Sequence, residues 1–167
     1  MSDFERTAIT VLDTYTVTFI GHRYIDNMFR IESRLEDIIR DLIQEHEYVE
    51  FLVGRDGEFD QIVSSTVLRV KRQVGNKNSA LVWVMPYPRA EYENNVESFD
   101  NYYDEIEVCE ESSRAHFKGA IQIRNRNMVD RASLLICYVE HESGGAYQTL
   151  QYAKKQEKKI INLAEGE

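Results

Sequence analysis

"ASLLICYVEHESGGAYQTLQYAKKQEKKIINLA" (residues 132–164) is the stretch that decides the fold class of this chain. It opens on an unbroken apolar run, 132–139, of the kind found in strands covered on both faces. A glycine pair, Gly144 and Gly145, makes a turn and feeds a helical stretch. The stretch "KKIINLA", 158–164, then reads as another strand. Strand, turn, helix and strand in succession is the unit from which parallel sheets are built.

The same alternation extends toward the N-terminus. Residues 14–20, rich in Thr, Val, Tyr and Ile, read as a strand. From 30 to 46 the period changes, and Ile31, Leu35, Ile38, Ile39, Leu42 and Ile43 share one helical face, with Glu36 and Arg40 at i, i+4 on the wet side. A second strand, 48–54, ends at Gly54. A stripe from Ile62 through Val63, Thr66, Val67 and Val70 to Val74 predicts a helix over 60–74, stopped by Gly75. The run 79–88 is a third strand, closed by its two prolines. A short strand is expected at 105–109, and Ser112 or Ser113 is placed to cap a helix running to about residue 131. The expected architecture is therefore α/β, one domain with a mostly parallel sheet.

Composition narrows the function classes. An apolar fraction of 43% fits a globular chain. The formal net charge is -9, and nine acids with no Lys or Arg lie between residues 91 and 111, inside a Tyr-rich insert at about 89–111. Such a surface repels phosphate backbones, so general nucleic-acid binding is expected to be disfavoured, while a local basic pocket for one small anion is not. Tyr87, Tyr92, Tyr102 and Tyr103 suit an aromatic lid, a dimer surface or a packed insert. Cys109 and Cys137 show no metal-ligand spacing, and Cys137, inside an apolar strand, reads as a buried, inert thiol. No metal site is expected. No apolar run approaches bilayer length, and residues 1–10 lack the pattern of a secretory signal, so a cytoplasmic protein is expected.

Ligands of open parallel sheets bind beyond the carboxyl ends of the strands. Three unusual loops follow strands here: Gly21-His22-Arg23, the stretch 54–60 that begins at Gly54 and ends at Asp60, and 142–149. Gly144 and Gly145 clear side chains from a helix start, leaving backbone N–H groups open to an anion, with Thr149 nearby. Arg23 offers a planar fork for phosphate or carboxylate. His22 is suited either to holding the turn or to touching a ligand, and Asp60 either to a ligand or to its own helix N-terminus. Arg124 and Arg126 lie on different sides of one helix, so at least one is solvated or paired with the acidic segment.

Taken together, "TVTFIGHR" (16–23), "GRDGEFD" (54–60), "RNRNMVDRASLLICYV" (124–139) and "SGGAYQTLQYAKKQEKKIINL" (143–163) resemble the SLOG superfamily, which joins the DNA-processing protein A fold to the lonely-guy enzymes. The nearest branch is that of small bacterial and phage proteins with a Thr-Gly-His-Arg-like start. The resemblance implies a Rossmann-like sheet with helices on both faces, a homodimer, and a pocket for a nucleotide or nucleotide-derived ligand. It implies a ligand set of Gly21, His22, Arg23, Arg124, Asn127, Gly144, Gly145 and Thr149, to which the second loop adds Gly54 and Asp60. It departs from the phosphoribohydrolase members where Ser143 replaces a proline, Tyr152 replaces the catalytic glutamate, and Glu58 stands where a glycine is usual. A tyrosine supplies no carboxylate at neutral pH, although Glu140 and Glu142 lie just before the loop. The expected function is thus sensing or sequestering a nucleotide-like molecule. A nucleoside 5′-monophosphate phosphoribohydrolase is the alternative, and a scaffold with an emptied pocket the third reading.

Overall fold

Alternation along the strands sorts the core into two layers. In the computed structural model, which describes residues 13–166, six strands form one sheet: β1 (Thr14–Gly21), β2 (Tyr48–Val53), β3 (Ser79–Met85), β4 (Glu105–Val108), β5 (Leu134–Tyr138) and β6 (Lys159–Asn162). Residues 1–10, read above as carrying no signal, lie outside the described residues. Val17 and Phe19 of β1, Phe51 and Val53 of β2, Leu81 and Trp83 of β3, and Leu134 and Ile136 of β5 face one core layer. Their neighbours Ile20, Leu52, Val82 and Val84, and Leu135 and Cys137, face the other. Side chains one residue apart must point to opposite faces, so apolar strands without polar interruption require cover on both sides.

The helices supply it. On the first face lie α1 (Met28–Glu45) and α2 (Glu58–Val74), through stripes such as Ile31, Leu35 and Ile39, and Phe59, Val63 and Val67. On the second lie α6 (Phe117–Arg131) and α7 (Gly145–Lys155), through Met128, Val129, Leu150 and Ala153. Three short helices, α3 (Ala90–Glu93), α4 (Val96–Tyr102) and α5 (Glu110–Ser113), fill the stretch between β3 and α6.

Every strand pair is parallel, and the order is β4-β3-β2-β1-β5-β6. The chain steps outward from β1 to β4 with α1 and α2 on one face, then crosses back on the other face to place β5 beside β1. The direction of winding therefore reverses between β1 and β5. At such a switch point the loops diverge and leave a crevice at the strand ends.

Two sequence expectations change in detail. The helix before β5 begins at Phe117, capped by His116, whose Nδ1 accepts from the Lys118 N–H at 3.2 Å. Ser112 does not cap it, because its hydroxyl is buried and donates to the Pro86 carbonyl at 2.6 Å. The acidic insert is partly core. Tyr103 is buried, Phe99 and Tyr103 each stand 5.2 Å from the Trp83 ring, and the Arg55 guanidinium lies 4.8 Å over Phe99. The packed-insert reading of the tyrosines therefore describes Tyr103, whereas Tyr102 is exposed.

Charge also enters the core. Lys71 on α2 is 4% exposed, and its ammonium donates to the Ser79 carbonyl and to Asp104, which also accepts from the Leu81 N–H at 2.7 Å. This pair fastens α2 to β3 and to the start of β4. Replacing Asp104 by Asn leaves a buried ammonium without its counter-charge, and chemical denaturation should show a loss of roughly 3 kcal/mol. Lys71→Met, which removes the buried charge itself, should lose clearly less.

Candidate ligand-binding site

At the switch point, beyond the carboxyl ends of β1 and β5, lies a cavity of about 230 Å³. Gly21, His22 and Arg23 form one wall, directly continuing β1. Gly54, Asp56 and Gly57 follow β2, with Asp60 on the first turn of α2. Ile121, Gln122, Arg124, Asn125 and Met128 come from one side of α6. Gly145 and Ala146 open α7. Loops separated by up to more than a hundred residues thus meet at one hollow, as strand order requires.

The glycines at this rim answer to packing as well as to any ligand. A methyl group on Gly21 would stand 2.3 Å from the Phe59 ring. One on Gly57 would stand 2.6 Å from the Arg23 Cα. That approach lets the Glu58 N–H donate to the Arg23 carbonyl at 2.8 Å, while the Glu58 carboxylate accepts from the Ile25 N–H at 2.9 Å. The departure at Glu58 therefore has a structural use: it clamps the first loop to the second. Gly144 has φ +93°, in the region open to glycine, and turns the chain into α7.

Most of the cationic charge at the site is already engaged. Arg124 is 2% exposed. Its Nε donates to Asn125 Oδ1 at 3.0 Å, Nη1 to the Val84 carbonyl at 2.7 Å and Nη2 to Asp56 Oδ2 at 2.6 Å. Arg89 donates to Asp56 Oδ1 at 2.6 Å. Burial drives the Asp56 carboxyl upward, but the paired guanidinium groups of Arg124 and Arg89 outweigh it and hold it below its ordinary value. Arg126, by contrast, is exposed and lies 5.3 Å over the Tyr152 ring, so the two arginines do part company as their spacing requires.

Asp60 behaves in the opposite way. Its Oδ2 accepts from the Asp56 N–H at 2.8 Å, but burial pushes its carboxyl up to about 6. A carboxyl poised near neutrality in a cavity is able to accept hydrogen bonds from hydroxyl or amino groups, or to exchange a proton. His22 is half-buried, and its Nε2 accepts from the Glu140 N–H at 2.8 Å and the His141 N–H at 3.3 Å. That fixes the proton on Nδ1 and ties the first loop to the third. Burial, reinforced by His141, holds its pKa below the ordinary value.

The structure brings Gly21, His22, Arg23, Gly54, Asp60, Arg124 and Gly145 onto the cavity wall. It does not bring Asn127, Gly144 or Thr149 there. Asn125 takes the position expected for Asn127, because 121, 124, 125 and 128 share one helical face and 127 falls off it. The Thr149 hydroxyl is buried, donates to the Gly145 carbonyl at 3.0 Å and accepts from Gln122 Nε2 at 3.0 Å, so it orients Gln122 instead of facing the cavity. Asp56, Gln122 and Asn125 were not singled out from the sequence, although the helical period at 121–128 marks two of them. Tyr152 donates to Asp130 at 2.6 Å, and neither it nor Glu140 nor Glu142 lines the cavity.

The two aspartates should leave opposite marks on stability. Asp56, held low, contributes stability above its ordinary pKa that is lost as pH falls below it; Asp60, held high, contributes stability below its ordinary pKa that is lost as pH rises through about 6. Asp60→Asn should therefore unfold at a higher temperature than the wild type at pH 8, by an amount equivalent to roughly 1–3 kcal/mol, and the advantage should shrink by pH 4. Asp56→Asn should lose roughly 3–5 kcal/mol at pH 7 because Arg124 stays buried.

No family model and no curated protein matches the chain. Among solved structures, DNA processing protein A from Streptococcus pneumoniae superposes with a TM-score of 0.64 at 15% identity, over 88% of this chain and 49% of that one. DNA processing protein A from Helicobacter pylori, described for its single-stranded DNA binding mode, aligns with a TM-score of 0.58 at 14% identity, over 92% of this chain and 68% of that one. The chain thus spans about half the length of the Streptococcus protein. The Helicobacter protein corrects the expectation, drawn from the charge of -9, that nucleic-acid binding is unlikely. Net charge does not exclude it, because binding depends on where charges and aromatic faces lie and not on their sum. At these identities the likeness is one of architecture: the chain shares the Rossmann-like fold of DNA processing protein A.

Proposed function

We propose that this protein binds a nucleotide or nucleotide-derived molecule in the cavity at the β1/β5 switch point. The observation that carries this reading is the convergence of the loops after β1, β2 and β5 on one hollow. The start of α7 offers N–H groups at Gly145 and Ala146 with little side chain in the way, and the helix dipole adds to their pull on an anion. Arg23 is exposed at the same wall and supplies the mobile cation, while Arg124 shapes the floor.

A second reading, a single-stranded nucleic acid lying across the mouth, is favoured by exposed aromatics. Tyr24, in the loop after β1, and Phe29 and Phe117, on the first turns of α1 and α6, are 77%, 84% and 66% exposed. Bases stack on such faces without regard to sequence.

Thermal melting with nucleoside mono-, di- and cyclic phosphates and with short single strands tests both readings. A ligand at a hundredfold excess over its Kd should add about 2.7 kcal/mol of stability. Arg23→Ala should weaken that ligand about tenfold while leaving the unliganded melting temperature unchanged, since its side chain is exposed. If no compound in the panel shifts the transition, the cavity does not bind nucleotides.

A further inference from the structure

We propose that His22 is a pH-sensitive latch: its neutral ring holds the loop after β5 against the rim of the cavity, and the protonated ring releases it. The proposal concerns access to the cavity and stands whether or not the ligand is a nucleotide.

The latch has a fixed post. The His22 N–H donates to the Tyr138 carbonyl at 3.3 Å, so the backbone that carries the ring is fastened to the end of β5. From there Nε2 accepts the Glu140 N–H at 2.8 Å and the His141 N–H at 3.3 Å. The loop has little else to hold it. Residues 140–144 are exposed, and among the described residues these two bonds are the only ones that tie the backbone of 140–143 to another part of the fold. The Glu140 carboxylate accepts from the Tyr138 hydroxyl, a contact within the same stretch of chain. A methyl group on Gly144 would meet nothing within 4 Å, so packing does not wedge the next turn in place. The loop leads directly into α7, whose first residues, Gly145 and Ala146, line the cavity.

Protonation removes the acceptor. A neutral imidazole offers one ring nitrogen that accepts, whereas imidazolium carries N–H on both nitrogens and accepts nothing. No rotation of the ring restores the bonds, and a cationic donor then faces two N–H donors. Both bonds are lost together. What remains is exposed backbone with few contacts, the setting in which segments open locally.

The surroundings set the direction. Burial, and then His141, whose ring lies 4.7 Å away, favour the neutral His22 ring, while Glu140 opposes them. Tyr138 meets the ring edge-on at 6.1 Å. Toward α1, Asp26, Arg30 and Arg34 lie beside Tyr138 and Glu140. On the cavity side stand Arg23, Asp60 and the mutually paired Asp56 and Arg124. A ring favoured neutral in the fold stabilises the closed loop above the ordinary imidazole value of about 6.5. That stabilisation is lost as pH falls through the lower value the ring has in the protein. The latch is therefore shut at neutral pH and open in mild acid.

Amide hydrogen exchange tests this, read by NMR from pH 8 to pH 5, corrected for the intrinsic pH dependence of exchange and set beside the titration of the His22 ring. The Glu140 and His141 amides should be protected about tenfold or more at pH 8, and should lose that protection along the His22 titration curve while the β5 amides keep theirs. His22→Phe, which keeps a ring without an acceptor, should leave both amides unprotected throughout. Asp60→Asn removes the other group that titrates at the cavity and should leave the transition in place. Wild-type amides equally protected at pH 8 and pH 5, or unprotected at both, would overturn the proposal. So would a loss shared by the β5 amides, a transition that vanishes in Asp60→Asn, or protection at pH 8 that survives in His22→Phe. The wild-type titration needs no substitution, so the outcome does not depend on a variant folding.

Discussion

The site is organised by one buried guanidinium. Arg124 is almost wholly removed from water, a state tolerated when the charge is paired and hydrogen-bonded. Here each of its three nitrogens donates once, to Asn125, the Val84 carbonyl and Asp56, and Arg89 engages the second oxygen of Asp56. The end of β3, the loop after β2, helix α6 and the turn before α3 are therefore tied to one point. Gly54 lies so close that a Cβ there would stand 3.0 Å from Arg124 Nη2 and 3.1 Å from Asp56 Oδ2. The cavity owes its floor to this cluster, and its shape cannot change without exposing or stranding a charge.

The cluster also decides the electrostatics. Because Asp56 is matched by two arginines, the cavity is not the strongly basic hollow that a count of nearby arginines suggests. What is left over is an exposed cation at the rim, Arg23, and a half-engaged carboxylate inside, Asp60. Asp60 carries a stability penalty at neutral pH, because burial disfavours its charged form.

Loop-to-loop contacts make the remainder rigid. Glu58 and Gly57 hold the first loop against α2, and the His22 ring accepts from two N–H groups of the loop after β5. The acidic segment, meanwhile, is anchored by its aromatic side: Phe99 and Tyr103 pack on Trp83, and Arg55 bridges Glu91, the Tyr103 hydroxyl and the face of Phe99. Its carboxylates project from a packed surface, which is why a segment with nine acids and no basic residue folds at all.

The sequence by itself determined the α/β class, the order of the strands and of the four long helices, and the three loops that meet at the site, because these depend on local periodicity, glycine and proline; the three short helices between β3 and α6 carried no such signal. Unbroken apolar runs such as 134–138 demand cover on both faces wherever they are placed. It also marked Gly21, His22, Arg23, Asp60, Arg124 and Gly145, since loops after parallel strands share one rim. Only the tertiary structure decided what those residues do. Arg124 became a buried strut and Thr149 a support for Gln122 because their partners, Asp56 and Gln122, lie 68 and 27 residues away. The exchange of Asn127 for Asn125 turned on which side of α6 meets the sheet. Hydrogen-bond partners separated by such distances leave no periodic trace in the chain, so satisfaction of charge, unlike hydrophobic pattern, is legible only after the fold has closed.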